Sequence, residues 1–343
     1  MKKSRYMLMA AAAVSLICSA AAFASSDAPR KYLTLAVVAE PFESKEPGDL
    51  IAKYAPFAKA LSARGAKEVR VLPVATLDAL EAGMKSGKYD FVTTGAADVP
   101  ARAVRDYGYR PVMKGRSDGA MLFIVGAEAS IPSLFGMTGQ QLGLPAEASY
   151  ATRVAMAALA EKGVTLKDVK FSFHKDPSVI GYAVRTGMRD VGAVMAESIP
   201  GQDWEKKGGK IIYRGRGLPS QPFVASKAVS EADVAKVREL AVALGSSAEG
   251  LAILKAAGLP VMAATDDSKV LTELLAYLDT GINVAKGASP MPAMATAFKS
   301  NGAGVFQSRE RRVIIPNVAT KTPAAETQNT ASAGGARANL SLR

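Results

Sequence analysis

Residues 169–197 read VKFSFHKDPSVIGYAVRTGMRDVGAVMAE. Val169 to Phe173 is a short β-rich run, and Ser178 to Thr186 has helical spacing and stops at Gly187. Val191 to Met195 is an apolar run of strand length. Strand, helix and buried strand in so short a span make a β–α–β unit, whose right-handed crossover sets the two strands parallel in one sheet.

The same grammar extends both ways. Upstream, Leu142-Gly143-Leu144 reads as a strand and Ser149 opens a helix to about Lys162, closed by Gly163. Earlier strands are predicted at Tyr32–Val37, Val69–Val74, Tyr89–Thr93, Tyr109–Met113 and Met121–Val125. Helices are predicted at Leu50–Leu61, from the Thr76 cap through Met84, and at Val99–Val104. Pro56 inside the first helix predicts a kink or restart there. Downstream come strands at Lys210–Tyr213 and Phe223–Ser226, then helices at Val234–Leu244, Gly250–Ala257 and Ser268–Leu278. The expectation is an α/β protein with two lobes of mixed, mostly parallel sheet and helices on both faces. Lobe 1 would take residues 25–120 and 223–284 and lobe 2 residues 121–222, with crossings near Ser117–Met121 and Pro219–Val224.

Composition removes several function classes. The chain has 343 residues, 49% hydrophobic and 22% charged, which excludes wholesale disorder. One His and one Cys are too few for a Cys/His zinc site, so neither a metal nor a cofactor is expected. Lys2, Lys3 and Arg5, the apolar run Met7–Ala22 and Ala22-Phe23-Ala24 form a secretory leader over residues 1–24, cleaved before Ser25. Of the net charge of +12, the leader carries three and the stretch from Ala285 to Arg343 carries six. The body is nearly balanced and offers no nucleic-acid-binding face. From Ala285 the chain becomes a basic extension with one apolar island, Val313-Ile314-Ile315. From about Thr320 it has little to bury and reads as disordered, a tail able to touch an anionic membrane surface.

The chain resembles the phosphate/phosphite/phosphonate-type periplasmic solute-binding proteins of ABC transporters. The resemblance runs through YLTLAVVAEPFE, KYAPFAKAL, GMKSGKYDFVTTG, GRSDGAMLFIVG and LGLPAEASYATRVA. It continues through FHKDPSVIGYAVRTGMRDVGAVMAE, RGRGLPSQPFVASKAVS and GLAILKAAGLPVMAATDD. No piece is a strict signature; order and spacing carry it. It implies a two-lobe clamshell that captures a phosphate- or phosphonate-like oxyanion in the periplasm and delivers it to a membrane permease. A sensor receptor in place of the permease, or a structural derivative without a ligand, stays open. No catalytic residue is expected.

The same resemblance implies a set of ligand-binding residues, each with a plain structural reading beside it. Ser149 and Thr152 would give hydroxyls, and Tyr150 and Ala151 their N–H groups, to an anion at a helix start; Ser149 is equally an ordinary N-cap. The family has a Ser/Thr run ending in Gly here, so Tyr150 and Ala151 depart from it. His174, at a strand's C-terminal end, is a donor to a phosphoryl-type oxygen or a structural hydrogen-bonding residue. Glu197 would meet a ligand amino group or be a solvated rim carboxylate. Gln221 stands where relatives often carry an acid. Thr94 and Gly95, and Glu40-Pro41-Phe42, would line the cleft, or simply form loops after strands. Thr76 stands where relatives carry an aromatic neighbour, or only caps a helix. Asp190 is expected to brace its strand turn. Lys114, Arg116, Arg214 and Arg216, near the crossings, steer anions or only keep the surface soluble.

Overall fold

The computed structural model describes residues 31–39, 46–167 and 169–286. The leader, Glu40-Pro41-Phe42 and the chain beyond residue 286, including Val313–Ile315, lie outside the described residues. In chain order the elements begin β1 (Tyr32–Val38), α1 (Pro47–Leu61), β2 (Glu68–Val74), α2 (Leu77–Lys85), β3 (Phe91–Thr93), α3 (Asp98–Asp106) and β4 (Tyr109–Gly115). The chain then crosses to β5 (Met121–Val125), β6 (Gln141–Pro145), α4 (Tyr150–Glu161), β7 (Lys170–His174) and α5 (Pro177–Arg185). Next come β8 (Val191–Met195), the short α6 (Ile199–Asp203) and β9 (Lys210–Arg214). It returns through β10 (Phe223–Ser226), α7 (Glu231–Leu244), α8 (Ala248–Ala256), β11 (Met262–Ala264) and α9 (Ser268–Thr280).

Two sheets result, ordered β11-β4-β10-β3-β1-β2 and β7-β6-β8-β5-β9, within one compact unit. Strands of the β–α–β units pair parallel: β1 with β2 and β3, and β6 with β7 and β8. Strands beside the crossings pair antiparallel: β10 with β3 and β4, and β5 with β8 and β9. Each sheet is therefore mixed, with parallel strands that all point their C-terminal ends the same way.

The stretch 169–197 folds as its pattern requires. Asp176 caps α5 by accepting from Ser178 N, and Gly187 ends it at φ +71°, where a side chain would be strained. Pro56 does not break α1. It lies on the exposed side, while Leu50, Tyr54, Phe57, Ala58 and Leu61 on the other side bury against the first sheet and hold the helix continuous.

The core has three parts. Leu33, Leu35, Val37, Phe91 and Phe223 pack under α1, α7 and α8. Leu122, Ile124 and Val194 pack against Ile180 and Val184 of α5 and against Trp204, whose Nε1 donates to Val125 O at 3.0 Å. The third cluster is continuous between the sheets. It runs from Ala36 and Val92 through Val99 of α3 and Leu271, Leu274 and Leu278 of α9 to Val154, Ala157 and Ala158 of α4, and on to Leu142, Leu144 and Phe171. Small residues on α4 permit this closeness. A Cβ on Gly281, just past α9, would stand 2.6 Å from Ala157 N. The shared core brings the N-termini of α3 and α4 towards each other.

Candidate functional site

The site starts from the end of β6. Ser149 is the N-cap of α4: its Oγ accepts from Thr152 N at 3.2 Å. Thr152 is buried, and its Oγ1 donates to Pro145 O at 3.0 Å. Both roles are those of a capped helix start. Ser149 Oγ also donates to Thr152 Oγ1 at 3.4 Å, which leaves the N–H groups of Tyr150 and Ala151 as the donors at this helix end.

Facing them is the start of α3, after Thr94 and Gly95. Thr94 is buried, and its Oγ1 accepts from Ala96 N. Asp98, the first residue of α3, is only 6% exposed. Its Oδ2 accepts from Arg153 Nη1 of α4 at 2.6 Å and from Arg102 Nη1 at 2.9 Å. Arg102 also donates from Nε and Nη2 to both oxygens of Glu81, at 2.7 Å each, and Tyr107 OH donates to Glu81 Oε1. The Arg102 guanidinium holds the Glu81 carboxyl below the usual range. A continuous charge chain thus links α2, α3 and α4 and joins the two sheets.

Tyr150 sits beside this chain. Desolvation pushes its phenol far above the usual value, and the charges of Asp98 and Glu197 push it the same way, while Arg153 pulls against them. The Glu197 carboxyl lies over Gly119 of the first crossing, where a Cβ would come 2.8 Å from Oε1. Desolvation raises it, and the N–H groups of Glu197 and Ala120 lower it. Tyr150, Arg153, Asp98 and Glu197 therefore share one neighbourhood at the start of α4.

His174 is placed on the other face of the second sheet. Its backbone pairs with Pro145 in register, but its ring lies on the α5 side, near Gly143. Arg189 Nε donates to Ser172 Oγ at 3.0 Å, and Ser172 Oγ lies 2.9 Å from His174 Nε2. Burial and the Arg189 charge push His174 below its ordinary value, so the ring is neutral near pH 7. Gln221 takes a left-handed φ of 45° and donates from Nε2 to Thr93 Oγ1 at 3.4 Å, tying the second crossing to β3. Thr76 is exposed and caps α2, accepting from Ala79 N. Asp190 Oδ2 accepts from Gln141 N at 2.7 Å, bracing the start of β6. Of the basic groups at the crossings, Lys114 pairs with Asp118 at 2.6 Å, and Arg216 lies over the Tyr277 ring.

Two features stand apart from this neighbourhood. A cavity of about 370 Å³, lined by Gly126, Arg185, Arg189, Trp204 and Lys207, opens at the opposite end of the second sheet, where β8 begins. The run Gly115-Arg116-Ser117-Asp118-Gly119 spells G-x-S-x-G, but it joins strand β4 to strand β5 and lacks the strand-to-helix elbow that exposes a nucleophile.

Asp98 and Arg153 escape sequence reasoning. Asp98 reads as an ordinary first-turn acid and Arg153 as an ordinary helix-surface cation; only the packing of α3, α9 and α4 joins them.

Residues 41–270 match the family described as ABC transporter, phosphonate, periplasmic substrate-binding protein, and the chain belongs to that family. Three solved structures share the fold. XAC2383 from Xanthomonas citri, bound to chloride ion, has a TM-score of 0.57 at 17% identity, covering 74% of this chain and 99% of that one. PhnD1 from Prochlorococcus marinus, in complex with methylphosphonate, has a TM-score of 0.55 at 17% identity, covering 73% and 99%. A binding protein component of an ABC phosphonate transporter from Pseudomonas aeruginosa has a TM-score of 0.54 at 17% identity, covering 73% and 87%. No curated protein sequence matches the chain.

Proposed function

We propose that this protein captures a small phosphonate- or phosphate-like oxyanion between its two sheets, at the start of α4, and hands it to an ABC permease. One observation carries the reading: the start of α4, with the Tyr150 and Ala151 N–H groups, is held against the start of α3 by the Arg153–Asp98 bond. Helix N–H groups at such a junction are what a tetrahedral oxyanion requires. Family membership and the methylphosphonate bound to PhnD1 support the ligand class. The lobes, residues 25–120 with 223–284 and residues 121–222, would close by bending at the two crossings. Glu197 would line the rim. His174, on the α5 side, would act only by bracing the end of β7 through Ser172, and Gln221 and Thr76 through the loops they hold. Secretion follows from the leader, with Ser25 as the mature N-terminus.

Isothermal calorimetry on the chain, stripped of ligand by reversible unfolding, tests this reading. Phosphate, phosphite, methylphosphonate, 2-aminoethylphosphonate and sulfate form the panel. A saturating isotherm at micromolar affinity or tighter, weakened in Ser149→Ala, is expected. No binding by a folded protein across the panel refutes it.

A further inference from the structure

The cavity at the far end of the second sheet lies between the end of α5, the loop after β5 and the turn from Trp204 to Gly209 that precedes β9. Its volume of about 370 Å³ falls within the range of small-molecule sites, about 300–1,000 Å³. Arg189 lines it and is only 7% exposed. The partners of Arg189 are neutral: Nε donates to Ser172 Oγ, and Nη1 donates to Gln141 Oε1 and Met188 O. Among the described residues Nη2 has no partner, and no carboxylate pairs with the guanidinium. A buried charge without a counter-charge is costly. Two more cations line the cavity. Arg185 is exposed and lies 5.8 Å from the centre of the Trp204 ring, and Lys207 is 3.4 Å from Asp203. Of the two acids there, Glu128 and Asp190, the second already accepts from Gln141 N. Val184 and the Trp204 ring give apolar walls, because Trp204 Nε1 is spent on Val125 O.

We propose that this cavity is a second anion site, independent of the cleft, and that it binds an organic carboxylate with an apolar body. The carboxylate accepts from Arg189 Nη2, with Arg185 and Lys207 adding positive charge. The body lies against Trp204 and Val184, which a small inorganic oxyanion would leave uncovered. Occupancy reaches His174, because Ser172 Oγ contacts both Arg189 Nε and His174 Nε2. Burial and the Arg189 charge hold that ring low, so a carboxylate beside Arg189 raises its midpoint.

Benzoate, benzyl alcohol and acetate test this on the full chain, by calorimetry and by NMR of the single histidine. Benzoate should bind with a Kd of about 1 mM or tighter and raise the His174 midpoint by about 0.5 pH unit. Benzyl alcohol lacks the charge and acetate lacks the body, so each should bind at least about tenfold more weakly. Saturating methylphosphonate should not compete with benzoate. Arg189→Gln should weaken benzoate at least about tenfold, and Arg185→Ala about two- to fivefold. Thermal unfolding establishes that each variant is folded. Should Arg189→Gln not fold, Arg185→Ala and the His174 midpoint of the unmodified protein decide the matter. Benzoate that fails to bind, that methylphosphonate displaces competitively, that leaves His174 unmoved, or that a folded Arg189→Gln binds unchanged overturns the assignment. Acetate binding as tightly as benzoate overturns the ligand class. The oxyanion reading of the cleft stands or falls separately, on the phosphonate and phosphate titrations.

Discussion

Arg153→Ala tests the physical link between the two sheets. Arg153 Nη1 stands 2.6 Å from Asp98 Oδ2, and the side chains are 36% and 8% exposed. A fully exposed pair is worth about 0–1 kcal/mol. Removing one partner of a fully buried pair costs about 3–5 kcal/mol. This pair lies between the limits, because Arg153 keeps contact with water and Asp98 keeps Arg102. We expect a loss of about 1–2 kcal/mol, in line with a charged hydrogen bond. In a domain of this size each kcal/mol moves Tm by about 2–4 °C, so the variant should melt about 2–8 °C lower. Tm alone does not isolate the pair, so the assay is urea unfolding of Arg153→Ala, Asp98→Asn and the double variant, without ligand. The cycle should return a coupling of about 1–2 kcal/mol. A coupling inside the additivity error, about 0.3–0.5 kcal/mol, would refute the claim that this ion pair joins the sheets.

Other expectations follow from single contacts. Ser149→Ala loses the N-cap of α4, at about 1 kcal/mol, and with it the set of the helix start proposed to hold the anion; urea midpoints should fall and oxyanion Kd should rise about five- to tenfold. Gly281→Ala drives a methyl to 2.6 Å from Ala157 N, an overpacking of about 1–3 kcal/mol; unchanged thermal unfolding would sink the argument that α9 and α4 touch through a bare backbone. His174 is the single histidine and its folded-state value is depressed by burial and Arg189, so the folded state binds fewer protons than the unfolded one. Stability is then present above the ordinary value of 6.5 and declines as pH falls through 6.5 towards the depressed one. NMR of this one imidazole should report a midpoint below 6.5. A midpoint at or above it would contradict the buried Ser172–Arg189 setting.

Much of the fold was legible because its signals are local. Alternation, helical spacing, capping hydroxyls and terminal glycines marked the β–α–β units from Tyr32 to Leu278 within a few residues. The errors were also local. Pro56 predicts a kink or restart, yet α1 runs through it because the buried side of the helix outweighs one missing N–H. α6 and β11 were missed, being too short for any period to register. At the site, Ser149 was legible as a helix start. The orientation of His174 was not, since which face of a strand meets which helix depends on the register with β6.

By itself the sequence determined the alternating α/β units, the helix starts and the near-neutral body between a basic leader and a basic tail. These depend on neighbours along the chain. Tertiary structure alone decided that Asp98 meets Arg153, that its Oδ1 is left without a donor among the described residues, and that His174 turns to the α5 side. Those facts depend on groups far apart in sequence, Asp98 and Arg153 by 55 positions, brought together by a core that α9 completes. Apolar burial, which is non-directional, chose the packing, and the polar groups took the partners it left them.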